Sequence, residues 1–217
     1  MRIYLIRHGR QDSTLCNVNI GLANEGKEQA RIVGKRLCNY GIDALYASNL
    51  LRAKETAELI KEELVLAGKW PADREIVIRE GLREIDFGDL EGIENSQVPI
   101  VYHDFMKQRA AMTEDLSFPG GECGQQVFDR AFPILEEIVA SGCERVAVVT
   151  HGGVIRSLLT GILRMDQANK LLFCKQLENC GITELLYREE TKSFYVERVN
   201  DYAHMEGCSR LLRESWQ

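Results

Sequence analysis

The sequence lacks any apolar run close to the roughly 18 residues that a membrane-spanning helix needs. Met1 and Arg2 lead directly into a short apolar strand, without the pattern of a cleavable signal peptide. Basic residues are also in deficit, since 27 Lys and Arg stand against 33 Asp and Glu for a net charge of -6. Nucleic acids and anionic membranes both favour basic surfaces, so this balance argues against either as a partner.

Paired cysteine motifs are missing as well. The chain has seven cysteines, which is an odd number, and no two of them form a C-x-x-C pair. This pattern favours reduced thiols that mostly serve as packing residues. We therefore expect a cytoplasmic protein.

What the sequence does contain is typical of a globular domain. Its 217 residues are 45% hydrophobic and 28% charged. That length is sufficient for one α/β domain with a modest insertion. We expect a single domain over residues 1–217.

Short apolar runs alternate with amphipathic segments along the chain. Strands are predicted over residues 2–6, 44–48, 75–79 and 145–150, with a hairpin of 182–188 and 193–199. Helices are predicted over 24–41 with Gly41 as C-cap, 50–64 after a Ser48–Asn49 cap, 125–142 and 151–163. This alternation predicts a three-layer α/β sandwich, in which a mostly parallel central sheet carries helices on both faces.

Residues 93–118 interrupt the alternation. They contain a helical pattern over 96–116 without a strand partner, and we interpret them as a small helical lid inserted over the sheet. Most of the lid's apolar side chains are expected to pack, with one or two facing the substrate, and His103 is expected to be solvated. These apolar residues are Val98, Ile100, Tyr102, Phe105, Met106, Met112 and Phe118. The C-terminal tail, 208–217, is expected to cover the site or a neighbouring subunit.

Two predicted strands end in nearly the same way, as "YLIRHG" and "VVTHGG". Each delivers a histidine, His8 or His151, followed at once by glycine. Ligands of open α/β sheets bind beyond the carboxyl ends of the strands. Two of only four histidines at matched strand ends therefore predict a shared site.

The residues around these histidines favour an anion. Arg7 precedes His8, and Arg52 opens the helix that follows the second strand. Arginine suits bidentate phosphate contacts, and the helix that begins at Gly152 and Gly153 presents free N–H groups. Considered alone, Arg52 would be a solvated helix residue.

One carboxylate belongs with this set. The loop "LREIDFGDLEG" holds Glu84, Asp86, Asp89 and Glu91, most of which are expected to be solvated. A single carboxyl close to a bound phosphate would favour its protonated form and could act as an acid.

Other site types fit the sequence less well. The segment "GLANEGKE" approaches a nucleotide-binding G-x-x-x-x-G-K-[ST] loop, but Glu28 stands where the hydroxyl is needed. No cysteine has an arginine six residues further on, and no G-x-S-x-G elbow is present. A metal site formed by His8, His151 and Glu84 would be opposed by the neighbouring arginines.

Seven motifs together resemble the histidine phosphatase superfamily, also called the phosphoglycerate mutase-like family, and they come in the family's order over nearly the whole chain. They are "LIRHG" (5–9), "LANEGKEQA" (22–30), "SNLLRAKETA" (48–57), "LREIDFGDLEG" (82–92), "PGGE" (119–122), "VVTHGGVIR" (148–156) and "NDYAH" (200–204).

The resemblance implies that His8 is the nucleophile that becomes phosphorylated. It implies that Arg7, Arg52 and His151 hold the phosphoryl oxygens, and that Glu84 is the general acid and then the base. This cluster supplies positive charge around a transferring phosphoryl group without a metal or other cofactor. Gly9 is expected to leave space for the phosphate to approach the backbone.

The departures from the family pattern favour a phosphatase. The family's downstream Asn corresponds to Asn17, which comes later than in the mutases, and we expect Asn17 and Gly152 to help bind substrate. The "EIDFG" form around Glu84 is closer to phosphatases such as α-ribazole phosphatase. We expect a small phosphorylated metabolite as substrate and leave a homodimer open. A mutase-type phosphotransferase and a non-catalytic phosphate- or nucleotide-binding module remain the alternatives.

Overall fold

The computed structural model describes residues 1–174 and 176–213. Its strands are β1 (Arg2–Arg7), β2 (Ala44–Ala47), β3 (Val77–Ile78), β4 (Arg145–Thr150), β5 (Ile182–Arg188) and β6 (Ser193–Asp201). Its α-helices are α1 (Asn24–Leu37), α2 (Leu51–Leu66), α3 (Val98–Val101), α4 (His103–Ala111), α5 (Gly124–Ala140) and α6 (Gly152–Ile162).

Within the described residues, the strands form one sheet in the order β3-β2-β4-β1-β5-β6. Strands β1, β2, β3 and β4 pair with one another in parallel. Strand β5 pairs antiparallel with both β1 and β6. The register sets Arg7 opposite Thr150, at the carboxyl ends of β1 and β4. These two ends are therefore adjacent in the centre of the sheet.

Both faces of the sheet are buried, as expected for parallel strands with near-continuous apolar sequences. Ile3 and Leu5 of β1 belong to one hydrophobic core, while Tyr4 and Ile6 belong to the other. Helices α5 and α6 pack in the first core, and α1 and α2 pack in the second. This arrangement confirms the predicted three-layer sandwich.

Three element boundaries differ from the prediction. Strand β3 spans two residues instead of 75–79, because its pairing with β2 is limited to two register positions. Helix α1 ends at Leu37, before Gly41, whose φ of +64° places it in a left-handed turn beyond the helix. The helix predicted over 96–116 is two helices, α3 and α4, because Tyr102 between them leaves the helical region with φ -111° and ψ 38°.

The apolar side chains of the 93–118 segment mostly pack as expected. Phe118 is buried and packs in tilted ring contacts against Phe87 and Phe105, at centroid distances of 4.6 and 5.3 Å. Ile100 and Val101 are exceptions, with 67% and 61% of their surfaces exposed. The side chain of His103 is 72% exposed, in agreement with the prediction that it is solvated.

None of the helices in the described parts of the chain is long and apolar enough to cross a membrane. Of the predicted C-terminal cover, residues 214–217 lie outside the described residues. Residues up to Arg213 are described, and Arg213 reaches the cavity discussed below.

Candidate active site

The two histidines predicted to share a site lie side by side. The N–H of His8 donates to the carbonyl of Thr150 at 2.9 Å, which continues the pairing of β1 with β4 past their ends. The imidazole centroids of His8 and His151 are 5.0 Å apart, with their planes inclined by 54°. The matched strand ends in the sequence therefore mark one place in the fold.

Hydrogen bonds at both ring nitrogens hold His8 in one orientation. Its side chain is buried, and its Nδ1 lies 2.7 Å from the carbonyl of Gly9, to which it donates. The other nitrogen, Nε2, accepts from Nε of Arg52 at 3.3 Å. Burial, followed by the positive charges of Arg52 and Arg7, lowers the pKa of His8 well below its usual value. His8 is thus neutral at pH 7 and carries a lone pair on Nε2.

Arg52 is fixed by hydrogen bonds although it is almost fully buried, at 1% exposure. Its Nη2 donates to Oδ1 of Asn17 at 2.6 Å, and its Nη1 donates to the carbonyl of Val18 at 3.0 Å. Asn17 adopts a left-handed conformation with φ +48°, and its Nδ2 donates to Glu91 at 2.6 Å. Asn17 therefore links Arg52 to the loop that contains Glu84, and the solvated-helix interpretation of Arg52 is wrong.

His151 contacts a residue that the sequence analysis had assigned only as a helix cap. Its Nε2 lies 2.8 Å from Oγ of Ser48, which itself accepts the N–H of Leu50 at 3.2 Å. The hydroxyl proton can therefore go to Nε2, which leaves the proton of the imidazole on Nδ1. That Nδ1 is buried and has no hydrogen-bond partner among the described residues, so it can donate to a bound oxygen.

The predicted helix cap at Ser48 and Asn49 is wrong. Helix α2 starts after Leu50, which makes no side-chain cap. The N–H of Leu51 is accepted by Oδ1 of Asn19, at 2.8 Å. Ser48 is therefore engaged mainly with His151, at the adjacent ends of the paired strands β2 and β4.

Burial lowers the pKa of His151 well below its usual value, and the neighbouring His8 and Arg52 shift it in the same direction. Both imidazoles of the site are therefore neutral at pH 7. We call His8, Asn17, Ser48, Arg52 and His151 the inner cluster.

The carboxylate of Glu84 lies at the start of α6. Its Oε1 accepts the N–H of Gly153 at 3.0 Å and that of Ile85 at 2.9 Å. A Cβ on Gly153 would collide with this same oxygen, so the absence of a side chain there allows the contact. The free N–H at the start of α6, expected to meet a phosphate, thus meets the carboxylate of Glu84.

Arg130 of α5 braces the loop that carries Glu84, and the sequence analysis missed it. Its guanidinium donates to the carbonyls of Gly81, Arg83 and Glu84 at 2.8 to 3.0 Å. It also forms an ion pair with Glu122 at 2.8 Å, which places the "PGGE" motif against the loop. No spacing in the sequence ties Arg130 to a loop some 46 residues earlier in the chain.

A cavity of about 280 Å³ opens beside these residues. Of the predicted site residues, Arg7, Glu84 and Gly152 line it. Four other residues predicted at the same site do not line the cavity: His8, Arg52, His151 and Asn17. The first three of them are buried. The lining residues are Arg7, Glu84, Ile85, Phe87, Arg109, Gly152, Gly153, Arg156, Lys170, Leu171, Gln176, Leu177 and Arg213.

Arg7 connects the cavity to the inner cluster. One of its Nη atoms donates to the carbonyl of Leu177, while its Nε is buried without a hydrogen-bond partner among the described residues. Burial lowers the pKa of Arg7, and the positive charge of Arg213 contributes to the same direction. Arg7 nevertheless remains charged at pH 7 and presents that charge beside His8.

Three further arginines line the cavity: Arg109 of α4, Arg156 of α6 and Arg213 near the C-terminus. We call them the outer cluster. The sequence analysis assigned no role to any of them, although Arg156 ends the quoted motif "VVTHGGVIR". Each belongs to a different segment, and only the folded chain brings them to one cavity.

The expected role of Gly9 is wrong. A Cβ on Gly9 would lie 2.5 Å from the carbonyl oxygen of Gly26, and a Cβ on Gly26 would collide with the backbone of Arg10. Gly9 therefore permits the chain after β1 to pack closely against the start of α1. The space that its missing side chain leaves is taken by the backbone of Gly26.

The sequence of this chain matches one family over most of its length. A family model described as "Histidine phosphatase superfamily (branch 1)" matches residues 3–201. A 2,3-bisphosphoglycerate-dependent phosphoglycerate mutase of Parvibaculum lavamentivorans is 30% identical over 179 residues, which cover 78% of this chain and 83% of the relative. A protein of Salmonella paratyphi B named "Probable phosphoglycerate mutase GpmB" is 28% identical over 216 residues, which cover 95% of each chain.

The fold gives the same result. A mycobacterial glucosyl-3-phosphoglycerate phosphatase, solved with inorganic phosphate, has a TM-score of 0.78 and 25% identity, covering 94% of this chain and 98% of that one. The similar proteins thus include phosphatases and mutases. The resemblance inferred from the seven motifs is confirmed, and the chain belongs to branch 1 of the histidine phosphatase superfamily.

Proposed function

We propose that this chain is a phosphatase that hydrolyses a small phosphomonoester through a phosphohistidine on His8. The observation that carries the proposal is the state of His8, which is neutral, fixed through Nδ1, and directs Nε2 toward Arg52. A neutral, oriented imidazole is a competent nucleophile. Phosphoryl transfer otherwise needs positioning and positive charge, which Arg7 and Arg52 provide.

In the first step, Nε2 of His8 attacks phosphorus and the bond from phosphorus to the alcohol oxygen breaks. Glu84, in its protonated form, gives its proton to the departing alcohol. Nδ1 of His151 donates to a phosphoryl oxygen, and the guanidinium groups of Arg7 and Arg52 stabilise the charge that develops on the phosphoryl group.

In the second step, water attacks the phosphohistidine. The carboxylate of Glu84 takes a proton from that water, and the bond between phosphorus and Nε2 breaks. Inorganic phosphate leaves, while His8 returns to its neutral form and Glu84 is protonated again. The position of Glu84 on the wall of the cavity supports both roles.

Rapid quench with ³²P-labelled p-nitrophenyl phosphate in EDTA tests the intermediate. We expect label on His8 that is lost quickly in acid and retained in alkali, since protonation of the nitrogen weakens its bond to phosphorus. His8→Ala should give no label and no turnover, whereas His103→Ala, at an exposed histidine, serves as the matched control. Label that survives acid, or that maps to another residue, would contradict the proposal.

A phosphoglycerate mutase is the second candidate, and the identity of 30% to the Parvibaculum enzyme favours it. Both activities would share the phosphohistidine and differ in the acceptor of the second transfer. ³¹P NMR with 3-phosphoglycerate and a catalytic amount of 2,3-bisphosphoglycerate separates them. Inorganic phosphate as the main product supports the phosphatase, and 2-phosphoglycerate supports the mutase.

A further inference from the structure

The outer cluster places three arginines around a cavity of small-ligand size. Arg109 reaches it from α4 in the lid segment, Arg156 from the second turn of α6, and Arg213 from the chain after the short 3-10 turn at Ser209–Leu211. The cavity volume of about 280 Å³ lies at the lower end of the range for ligand pockets. Convergence of three separate segments on so small a space calls for a physical reason.

The charges that line the cavity do not balance. Its cationic lining residues are Arg7, Arg109, Arg156, Lys170 and Arg213, whereas Glu84 is its one acidic lining residue in the described chain. Lys170 forms an ion pair with Asp115. A bound phosphoryl group beside His8 would meet Arg7, but the outer cluster would still add three positive charges.

These arginines are close enough to repel one another. Burial lowers the pKa of Arg109, and the charge of Arg156 lowers it further. Burial also lowers the pKa of Arg156, and the positive charge of Arg213 acts in the same direction. Bringing like charges together in a partly buried site costs stability unless an anion is bound there.

Carbonyl and amide oxygens orient two of the outer arginines, while the charge of Glu84 acts on Arg156 and that of Glu178 acts on Arg213. Arg156 donates to the carbonyls of Phe173 and Cys174 at 3.2 and 2.8 Å. Arg213 donates to the amide oxygens of Gln176 and Asn179 at 2.9 and 3.3 Å. Such contacts orient a guanidinium without neutralising its charge.

Arg109 has donor capacity to spare. Its Nε is buried and has no hydrogen-bond partner among the described residues, while its guanidinium lies 5.0 Å from the ring centroid of Phe118. A buried donor without a partner is costly, and a ligand oxygen would satisfy it.

The outer cluster is continuous with the phosphoryl site. Nε of Arg7 and Nη1 of Arg156 each lie 3.7 Å from the point where a side chain on Gly152 would begin. Gly152, which lines the cavity, therefore keeps the space between the two guanidinium groups free of a side chain. A ligand of a few carbon atoms can extend from His8 past Gly152 to the outer cluster.

We propose that the substrate carries a second anionic group, a carboxylate or a second phosphate, and that Arg109, Arg156 and Arg213 bind it while the transferred phosphoryl group lies at His8. This proposal rests on the phosphatase or mutase chemistry proposed above only for the placement of the phosphoryl group. It assigns the substrate to the class of short phosphomonoesters with two anionic ends.

A matched series of ligands tests it. Alkyl phosphates of two to four carbons are compared with ω-carboxyalkyl phosphates and with alkanediol bisphosphates of equal length. Affinity is measured by calorimetry on the His8→Ala variant, which requires no turnover, and kcat/KM is measured on the parent protein. We expect the doubly anionic ligands to bind at least about tenfold more tightly than the alkyl phosphates, as a charged hydrogen bond predicts.

The arginines are then replaced one at a time, in both backgrounds. Arg109→Gln, Arg156→Gln and Arg213→Gln should each reduce the preference for the doubly anionic ligand by about tenfold. Lys107→Ala is the control, because it removes a positive charge from the exposed side of α4 outside the cavity. Arg156→Lys, which keeps the charge, should retain more of the preference than Arg156→Gln.

The arms of the experiment separate the outcomes. A preference for the carboxylates or for the bisphosphates identifies the second anion. Equal affinity of singly and doubly anionic ligands overturns the proposal, as does a preference that persists in all three Gln variants. Absence of turnover by the parent protein, with the binding preference intact, would instead count against the proposed function alone.

Discussion

The inner and outer clusters lie next to each other, yet they are built in different ways. The inner cluster stands on the ends of β1, β2 and β4, on the first turn of α2 and, for Asn17, on the loop after β1, and its members hydrogen-bond to one another. The outer cluster is made of like charges that come from α4, α6 and the C-terminal segment and that repel one another. A site whose members fix one another's positions is suited to fixed chemistry, whereas a site of mutually repelling charges is suited to binding an anion.

Glu84 stands between the two clusters, since its charge acts on Arg52 of the inner cluster and on Arg156 of the outer one. Its carboxylate is fixed by the first turn of α6 and by its own loop, which Arg130 braces from outside the cavity. The position of Glu84 therefore does not depend on the lid segment or on the C-terminus. Those segments supply Arg109 and Arg213, of which Arg213 also donates to Asn179, whose amide in turn donates to the carbonyl of His8.

Among the variants that distinguish catalysis from substrate recognition, Glu84→Gln should have the largest effect on activity. An alkyl alcohol needs a proton in order to leave, but p-nitrophenolate does not. We expect kcat to fall by about 10²- to 10³-fold on an alkyl phosphate and by less than about tenfold on p-nitrophenyl phosphate. Steady-state kinetics on the two substrates measures the difference.

The substitution retains the carbonyl oxygen that the N–H groups of Gly153 and Ile85 require, so the fold should be preserved. Asp89→Asn is the control, since Asp89 lies in the same loop, is exposed and does not line the cavity. Equal losses on both substrates would mean that Glu84 has a structural role and transfers no proton.

A smaller effect is expected for Asn17→Gly, which removes the acceptor that holds Nη2 of Arg52. Glycine is the suitable replacement because Asn17 has a positive φ, which alanine would strain. Loss of one charged hydrogen bond should weaken inhibition by vanadate about tenfold. The loss should be the same for singly and doubly anionic inhibitors, because Asn17 belongs to the inner cluster.

Lys192→Gly provides the matched control for this variant. Lys192 has the same kind of backbone conformation, with φ +50°, in the exposed turn between β5 and β6. Unchanged vanadate inhibition in Asn17→Gly would show that Arg52 is positioned without Asn17, and the contact would then serve only the loop.

The two histidines of the inner cluster could be predicted to share a site because they directly follow strand ends. The adjacency of His8 and His151 follows from two apolar runs that end alike, since parallel strands end at the same edge of a sheet. The partners of these residues could not be predicted. Ser48 was expected to cap a helix, and Gly9 was expected to face phosphate, because neither the contact with His151 nor the packing against Gly26 leaves a local pattern.

The outer cluster could not be predicted for a different reason. An isolated arginine in a lid, on a helix or near a terminus is most often solvated, and no periodicity marks the exceptions. Arg109 and Arg213 are separated by more than a hundred residues, so their common cavity depends on how the lid and the terminus pack. The length of β3 could not be predicted for a comparable reason, because tertiary pairing with β2 limits this strand to two residues.

The smallest effect concerns pH and the two inner histidines. Burial and the charge of Arg52 lower the pKa of His8 and of His151, so both should stay neutral where an unfolded histidine, with a pKa of about 6.5, becomes protonated. We expect their ¹³Cε1 NMR signals to remain at the neutral position from pH 8 down to about pH 5.5. His8→Asn and His151→Asn assign the two signals among the four histidines of the chain.

The same lowered pKa values determine how stability depends on pH. Because the unfolded chain takes up protons below about pH 6.5 and the folded inner histidines do not, their contribution is fully present above that pH and is lost as the pH falls. Each such histidine should lower the free energy of unfolding by up to about 1.4 kcal/mol per pH unit below pH 6.5. Urea denaturation of the parent and of His151→Asn at several pH values measures this slope, which should be smaller in the variant. An inner-histidine signal that titrates near pH 6.5, or an equal slope in the two proteins, would show that the imidazole pair is accessible to protons and would remove the contrast with the outer cluster.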